Sequence, residues 1–298
     1  MHGVVNLDKP VGPTSHDMVG LLRRLTSTRR IGHAGTLDPL ASGVLPILVG
    51  AATRFSAELT GGSKRYDATI RLGARSATDD AEGPIEPVDA PLPDRAAVER
   101  ALAAMTGTVL QRPPAFSARK LGGRTAYRAA RAGEALDLPP REVVIEALVV
   151  QDVELGEGWL DVRVDVRCGA GTYVRSIARD LGERLATGGY LRALRRTEAA
   201  GLSLDGAVTP ARLEELAAEG RIDAAIGPVG PLLPLPPVTL DEAAAWRFLH
   251  GAPQPLAAAP VDSGRVAVFI GRRLLGVGSL DGGVLRPEHV VPEEAVLS

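Results

Sequence analysis

The stretch Arg29-Arg30-Ile31-Gly32-His33-Ala34-Gly35-Thr36-Leu37-Asp38-Pro39-Leu40-Ala41-Ser42-Gly43-Val44-Leu45-Pro46 places one carboxylate, Asp38, among small and apolar residues. Two arginines and a histidine precede it. From Arg29 to Ser42 no apolar period is present, so this part reads as a loop. Val44–Val49, apolar and bounded by Gly43 and Gly50, reads as the strand that leaves it. Taken alone, Asp before Pro is a common turn pair, and a lone histidine is more often packed or at the surface than functional.

Working outward, Gly3–Leu7 reads as a short buried strand, and Ser15 is placed to cap a helix over about His16–Leu25. Ala51–Leu59 fits a short helix, and Lys64–Leu72 alternates Tyr66, Ala68, Ile70 and Leu72 with the period of a half-buried strand. Ser76–Pro93, acidic and rich in proline, reads as a solvated loop before a helix over Arg95–Met105. Val143–Val153 and Leu160–Arg167 read as strands, and Tyr173–Leu185 carries one helical apolar stripe. Strands and helices without regular β-α-β alternation point to an α+β fold on a mixed, mostly antiparallel sheet flanked by helices. Five prolines between Gly227 and Pro237 mark a stiff linker. Beyond it, a helix at Leu240–Leu249 and strands at Arg265–Ile270 and Leu274–Ser279 suggest a small β-rich module. The domains expected are therefore residues 1–230 and 238–298.

The 298 residues hold 34 Lys+Arg and 36 Asp+Glu, a formal net charge of −2. One cysteine, Cys168, rules out a disulfide framework and a multi-cysteine metal site, and suits a reducing cytoplasm. Met1–Lys9 shows no basic-then-apolar signal pattern. The longest uncharged apolar stretch, Pro39–Thr53, is too short and too rich in Gly and Pro to span a bilayer. The near-zero total hides alternation: residues 1–75, 111–141 and 167–197 each carry +5, and residues 76–99, 142–166 and 198–298 each carry −6. If folding gathers the basic blocks on one face, an anion-binding surface results despite the total. The expectation is that these blocks converge around Asp38 while the acidic blocks turn away. Lysine occurs only at positions 9, 64 and 120, so the basic residues are almost all arginine, whose planar fork suits phosphates.

The run around Asp38 closely resembles the H-x-G-x-L-D-P-x-A-x-G signature of the TruB branch of pseudouridine synthases. Further stretches resemble that family in the same order. Val5-Asn6-Leu7-Asp8-Lys9-Pro10 is similar to its N-terminal Lys-Pro motif, and Lys64-Arg65-Tyr66 to its tyrosine motif. Gln111–Lys120 is similar to the start of its RNA-gripping thumb, placed at about residues 111–141. Gly171-Thr172-Tyr173-Val174-Arg175-Ser176 is similar to its arginine motif, and Tyr190–Arg196 to its later leucine motif. The resemblance covers roughly residues 3–235, and the tail resembles a PUA domain more loosely.

The resemblance implies a pseudouridine synthase fold with a PUA-like C-terminal domain, located in the cytoplasm. It implies conversion of uridine to pseudouridine in the T-loop of tRNA, at position 55. The N1–C1′ bond breaks, the uracil turns, and C5 bonds to C1′; the change is redox-neutral, and no cofactor or metal is expected. Asp38 is implied as the essential carboxylate, acting as nucleophile or as stabiliser and base. Arg175 is implied to keep it ionised, Tyr66 to stack on the base, and Leu194 to form an apolar wall. A stacked uridine must be flipped out before reaction, and His33 is implied to insert near the vacated space. Tyr173, Lys9 and Pro10 complete the expected substrate-binding residues. The partner expected is the tRNA T-arm, bound by a monomer without membrane association. Two other readings stand beside this one: an RNA-guided relative, disfavoured by the thumb segment Gly122–Gly133, and a non-catalytic RNA-binding or tRNA-folding protein, disfavoured by the intact Asp38, Tyr66 and Arg175 set.

Overall fold

The computed structural model describes residues 1–117, 120–121, 124–125, 134, 136, 138–256 and 260–292. Contacts divide the chain into two units: Met1–Pro39, Gly43–Gly62 and Ala199–Ser298 in the first, Leu40–Ser42 and Ser63–Glu198 in the second.

In the first unit, β1 (Gly3–Lys9) pairs antiparallel with β3 (Ala41–Val49), from Gly3 opposite Val49 to Lys9 opposite Gly43. The short strand β2 (Ile31–His33) forms inside the stretch read as loop and pairs with Ile47–Val49. Val5, Leu7, Leu45 and Ile47 are fully buried, as near-continuous apolar strands must be. Helix α1 (Ser15–Thr26) buries Met18, Val19, Leu21 and Leu22. Its cap is Thr14 and not the expected Ser15: Thr14 accepts from the Asp17 amide, and Asp17 answers at the Thr14 amide. A 3-10 turn, Gly50–Phe55, leads into the short α2 (Ser56–Thr60).

In the second unit, the strands are β4 (Lys64–Leu72), β5 (Ala74–Ser76), β6 (Ile85–Pro87), β7 (Gly107–Gln111), β8 (Lys120–Leu121), β9 (Arg124–Thr125), β10 (Arg141–Gly156), β11 (Trp159–Cys168) and β12 (Gly189–Ala199). Five of them lie in the order β12-β4-β11-β10-β7. The alternation on β4 holds: Tyr66, Ala68, Ile70 and Leu72 are all buried. Helices α3 (Arg95–Ala103) and α4 (Val174–Arg184) bury Val98 and Leu102, and Val174, Ile177, Ala178 and Leu181. The β5–β6 pair forms within and beside the acidic stretch expected to be loop. Most of the thumb expected at 111–141, including 122–123 and 126–133, lies outside the described residues.

The charge expectation fails in this unit. Arg65 pairs with Asp165 at 2.8 Å and Arg71 with Asp161 at 2.6 Å, because antiparallel β4 and β11 put the basic residues of one block beside the acids of another. Arg192 also reaches Asp161, and Arg179 pairs with Asp79 at 2.9 Å. In these pairs acidic residues lie beside basic ones instead of turning away from them.

The chain returns to the first unit through β13 (Leu202–Ser203) and α5 (Pro210–Ala218), and bridges Val208 to Leu7 and Gly227 to Val4. A five-stranded sheet follows in the order β14-β16-β17-β18-β15, formed by β14 (Pro237–Thr239), β15 (Gln254–Pro255), β16 (Ser263–Ile270), β17 (Arg273–Asp281) and β18 (Val284–Val290). Helix α6 (Glu242–Leu249) lies among them in sequence. Val266 and Val268 of β16 join Phe248, Leu280 and Leu285 in one core. Ala267 joins Leu274 and Val277 in another, together with Val4, Leu48, Phe55 and Leu59. Successive strand residues point to opposite faces, so this sheet buries one face in its own core and the other against the N-terminal strands. Among the described residues no helix is long and apolar enough to cross a membrane.

Candidate active site

Asp38 lies in the first unit, on the loop between β2 and β3, and its side chain is half-buried. The loop is fastened from several directions. Ala34 donates its amide to the Pro46 carbonyl at 2.9 Å. The Ser15 hydroxyl donates to the Leu37 carbonyl at 2.9 Å and accepts from the Leu37 amide at 2.8 Å. Gly12 donates its amide to the Pro39 carbonyl at 2.9 Å. Ala34 and Leu37 are buried anchors on either side of Gly35, whose φ of +99° explains a glycine there. The backbone on both sides of Asp38 is therefore held in place, with Ala34 and Leu37 buried beside it.

Lys9 is wholly buried, and its ammonium donates to the carbonyls of Pro10 at 2.8 Å and Pro13 at 2.7 Å. It shapes the Pro10–Pro13 turn, which in turn supplies the Gly12 amide to Pro39. Pro10 itself is exposed. His33 ends β2, half-buried, with its carbonyl accepting from the Ser56 hydroxyl at 3.4 Å. The structure thus brings Lys9, Pro10, His33 and Asp38 into one fastened region.

Tyr66, Tyr173, Arg175 and Leu194 belong to the second unit. Arg175, in the first turn of α4, is buried and forms an ion pair with Asp80 at 3.3 Å, with both side chains under a tenth exposed. Its guanidinium also donates to the carbonyls of Phe116 at 2.9 Å and Thr78 at 3.3 Å. Asp80 accepts further from the Thr78 hydroxyl and the Glu82 amide. Its segment is stitched to β12, with the Ala81 amide donating to Leu191 and the Leu191 amide to Asp79, both at 3.0 Å. Asp80 sits in the acidic stretch expected to be solvated, and it is 2% exposed. The expectation is corrected here: a carboxylate that deep is stable only when paired and hydrogen-bonded. The available signal was the Thr78-x-Asp80 spacing, but acidic composition outweighed it.

Tyr173 precedes α4 and exchanges two hydrogen bonds with Gln111: its amide donates to the Gln111 side chain at 2.8 Å and its carbonyl accepts at 3.1 Å. Arg141 lies 5.3 Å over its ring, a cation–π distance. Ser176 and Arg179 both donate to the Arg112 carbonyl at 2.9 Å. Gln111 and Arg112, at the start of the expected thumb, are therefore clamped to α4 and the residue before it. Asp79, beside Asp80, has its carboxyl pushed up to about 6 by burial, against the pull of Arg179 and Arg175.

Tyr66 is buried on β4 and is hydrogen-bonded by Arg196 of the neighbouring β12. Arg196 is 1% exposed, and burial lowers its pKa while Tyr66 acts in the opposite sense. Lys64, two residues before Tyr66, is also shifted down, by burial first and by the Arg196 charge second. Leu194 is half-buried on β12. Cys168 is buried, and burial pushes its thiol up to about 11. That favours the neutral thiol and the packing role expected of it. The contacts Ser15–Leu37, Asp80–Arg175, Gln111–Tyr173 and Arg196–Tyr66 were not expected from the sequence.

Comparison with known proteins follows the same lines. A family described as "TruB family pseudouridylate synthase (N terminal domain)" matches residues 23–174, and "Pseudouridine synthase II TruB, C-terminal" matches 236–291. The tRNA pseudouridine synthase B of Burkholderia lata is 46% identical over 98% of this chain and 90% of its own. The protein of the same name from Cupriavidus taiwanensis is 44% identical over 98% of this chain and 94% of its own. Among solved structures, a chain of a Cbf5-Nop10-Gar1 complex superposes with a TM-score of 0.74 at 26% identity, over 98% of this chain and 86% of that one. A chain of an H/ACA RNP bound to a substrate RNA containing 2′-deoxyuridine shares the fold, with a TM-score of 0.75 at 24% identity over 99% of this chain and 86% of that one.

Proposed function

The chain belongs to the TruB family of pseudouridine synthases and isomerises uridine to pseudouridine in tRNA, and on that premise we propose that Asp38 is the reacting carboxylate. The target is the T-loop uridine at position 55. What supports the assignment of Asp38 is its loop: hydrogen bonds of Ala34, Leu37 and Pro39 to Pro46, Ser15 and Gly12 hold the backbone on both sides of the carboxylate.

In the reaction the N1–C1′ bond breaks, C5 bonds to C1′, the C5 proton leaves, and N1 gains a proton, so the sum is an isomerisation. Asp38 supplies the anion that attacks or stabilises the sugar as the bond breaks. Tyr66 carries the detached uracil, and its Arg196 hydrogen bond keeps the ring in place. Arg175 supplies the cation of the site, and Asp80 positions it. His33 fills the space left by the flipped base, and Leu194 and Tyr173 line the substrate. Lys9 and Pro10 support the Asp38 loop through the 10–13 turn. Residues 1–230 form the catalytic part, with its thumb at 111–141, and 238–298 a PUA-like RNA-binding part. The protein works in the cytoplasm, where its single cysteine stays reduced.

The test is tritium release from 5-tritiated uridine in a T-arm stem-loop, without added guide RNA. Wild-type protein should release tritium; Asp38→Asn should release none while still binding the RNA. Release by Asp38→Asn, or dependence of the wild type on a guide complex, would overturn the reading.

A further inference from the structure

Helix α4 turns two arginines one helical turn apart, Arg175 and Arg179, toward the segment from Ser76 to Glu82. Each grips two pieces of chain. Arg175 pairs with Asp80 at 3.3 Å and donates to the Phe116 carbonyl at 2.9 Å. Arg179 pairs with Asp79 at 2.9 Å and donates to the Arg112 carbonyl at 2.9 Å. Adjacent aspartates are thus held from adjacent turns of one helix, and each guanidinium also holds a carbonyl at the start of the expected thumb. Asp79 reaches its partner from a left-handed backbone, with φ of +61°. A residue with a side chain keeps that conformation where its surroundings impose it. Its carbonyl accepts from the Leu191 amide of β12 at 3.0 Å, while its carboxylate is drawn to α4.

Arg175 takes its place from Asp80 and from the Thr78 and Phe116 carbonyls. Those groups ride on backbone that Arg179 fastens nearby: Asp79 lies between Thr78 and Asp80, and Arg112 leads into Phe116. A guanidinium suits this task because its planar fork serves several acceptors at once. The Arg179 fork is itself aimed by Asp180, which accepts from it at 2.9 and 2.8 Å. We propose that Arg179 is a positioning residue for the isomerisation: with Asp79 as counter-ion it fixes the two pieces of backbone that orient the Arg175 guanidinium, and this rests on Arg175 being the cation of the site. Asp79 makes the arrangement sensitive to pH. Facing it are Arg179, Arg175 and Asp180 of α4 and its neighbour Asp80, while β12 meets it through the Leu191 backbone. Burial pushes its carboxyl up to about 6 against the pull of Arg179 and Arg175. As the pH falls below about 6 the carboxyl takes up a proton, and Arg179 loses its counter-ion.

The test is tritium release from the T-arm stem-loop in single turnovers, with the full-length enzyme in excess so that the chemical step is read. RNA affinity and urea unfolding are followed for each protein. Arg175→Gln is the reference and should slow the step about 100-fold or more. Arg179→Gln should slow it about tenfold, with RNA affinity within about twofold of the wild type. Arg179→Lys, which keeps the charge without the fork, should fall between the two. Asp79→Asn should slow the step about fivefold near neutral pH, while its urea midpoint holds or rises because a carboxylate disfavoured by burial is gone. The wild-type rate should drop as the pH falls through about 6, and Asp79→Asn should lack that drop. Wild-type rates in Arg179→Gln and Asp79→Asn overturn the proposal. So does a loss of rate matched by a loss of folded protein in both, and so does a pH profile unchanged in Asp79→Asn. Arg175→Gln separates the two levels: if it keeps the wild-type rate, the assignment of Arg175 fails and takes the proposal with it, whereas an inactive Arg175→Gln beside fully active Arg179 variants sinks the positioning role alone.

Discussion

The loop from His33 to Pro39 has backbone hydrogen bonds on both sides of its half-buried aspartate, whereas in the segment from Ser76 to Glu82 the buried aspartate itself carries an ion pair and two hydrogen bonds. In the first, Ala34, Leu37 and Pro39 carry the hydrogen bonds to Pro46, Ser15 and Gly12, and Asp38 remains half-exposed. In the second, the Asp80 carboxylate takes the Arg175 guanidinium, the Thr78 hydroxyl and the Glu82 amide, and is 2% exposed. One residue type therefore serves two ends. Around Asp38 the hydrogen bonds to the backbone hold the residues on either side of it, whereas the Asp80 carboxylate is itself buried and orients an arginine.

The sharpest way to break this comparison is to neutralise each aspartate in turn. Asp38→Asn should abolish tritium release, a fall of about 10³-fold or more, while the RNA is still bound. Retained release would show that another group reacts. Asp80→Ala should do the reverse in emphasis. It strands the buried Arg175 charge and should cost about 3 kcal/mol in urea unfolding, and it should slow turnover about 100-fold through the displaced guanidinium. A stable, fully active Asp80→Ala protein would remove Asp80 from the site.

Ser15→Ala sharpens the comparison on the backbone side. Both the Leu37 amide and carbonyl lose a buried partner, at about 2 kcal/mol, and kcat should fall more than KM rises because the loop under Asp38 loosens. Thr14→Ala, one residue away, removes only the helix cap and should cost about 1 kcal/mol with kcat unchanged. Equal kinetic effects from both would mean that α1, and not the Ser15–Leu37 contact, governs the loop. The smallest effect is electrostatic. Asp79 should titrate near pH 6 by carbon NMR of its carboxyl, and higher still in Arg179→Ala, since Arg179 pulls it down. Its ionised form is penalised in the folded protein, so this group's contribution to stability improves as pH falls through about 6 toward its ordinary value near 4. A normal titration would show that the segment opens to water.

Much of the fold was legible. The period-2 pattern of Tyr66–Leu72 and the helical stripe of Val174–Leu181 encode a face directly. The sequence motifs also pointed to the family that the comparisons establish. Less legible was β12, where charged residues interrupt the apolar pattern and Arg196 is buried at a position that composition assigns to solvent. Ser15 was read as a cap because a hydroxyl before an apolar helix suits that role; its actual partner, Leu37, is distant in sequence.

The local periods, the family to which the motifs belong, and Asp38 as the residue to watch can all be read along the chain. These depend on neighbours a few positions apart, or on an ordered set of motifs. Which charges pair depends on contacts that form only in the folded chain. Whether an aspartate in an acidic run is solvated or buried against an arginine 95 residues away depends on strand order and register, as Asp80 and Arg175 show. The block charges were correct as sums, but Coulomb interactions act between nearby atoms, and the β4–β11 register sets Arg71 opposite Asp161 and lets Arg65 reach Asp165 diagonally.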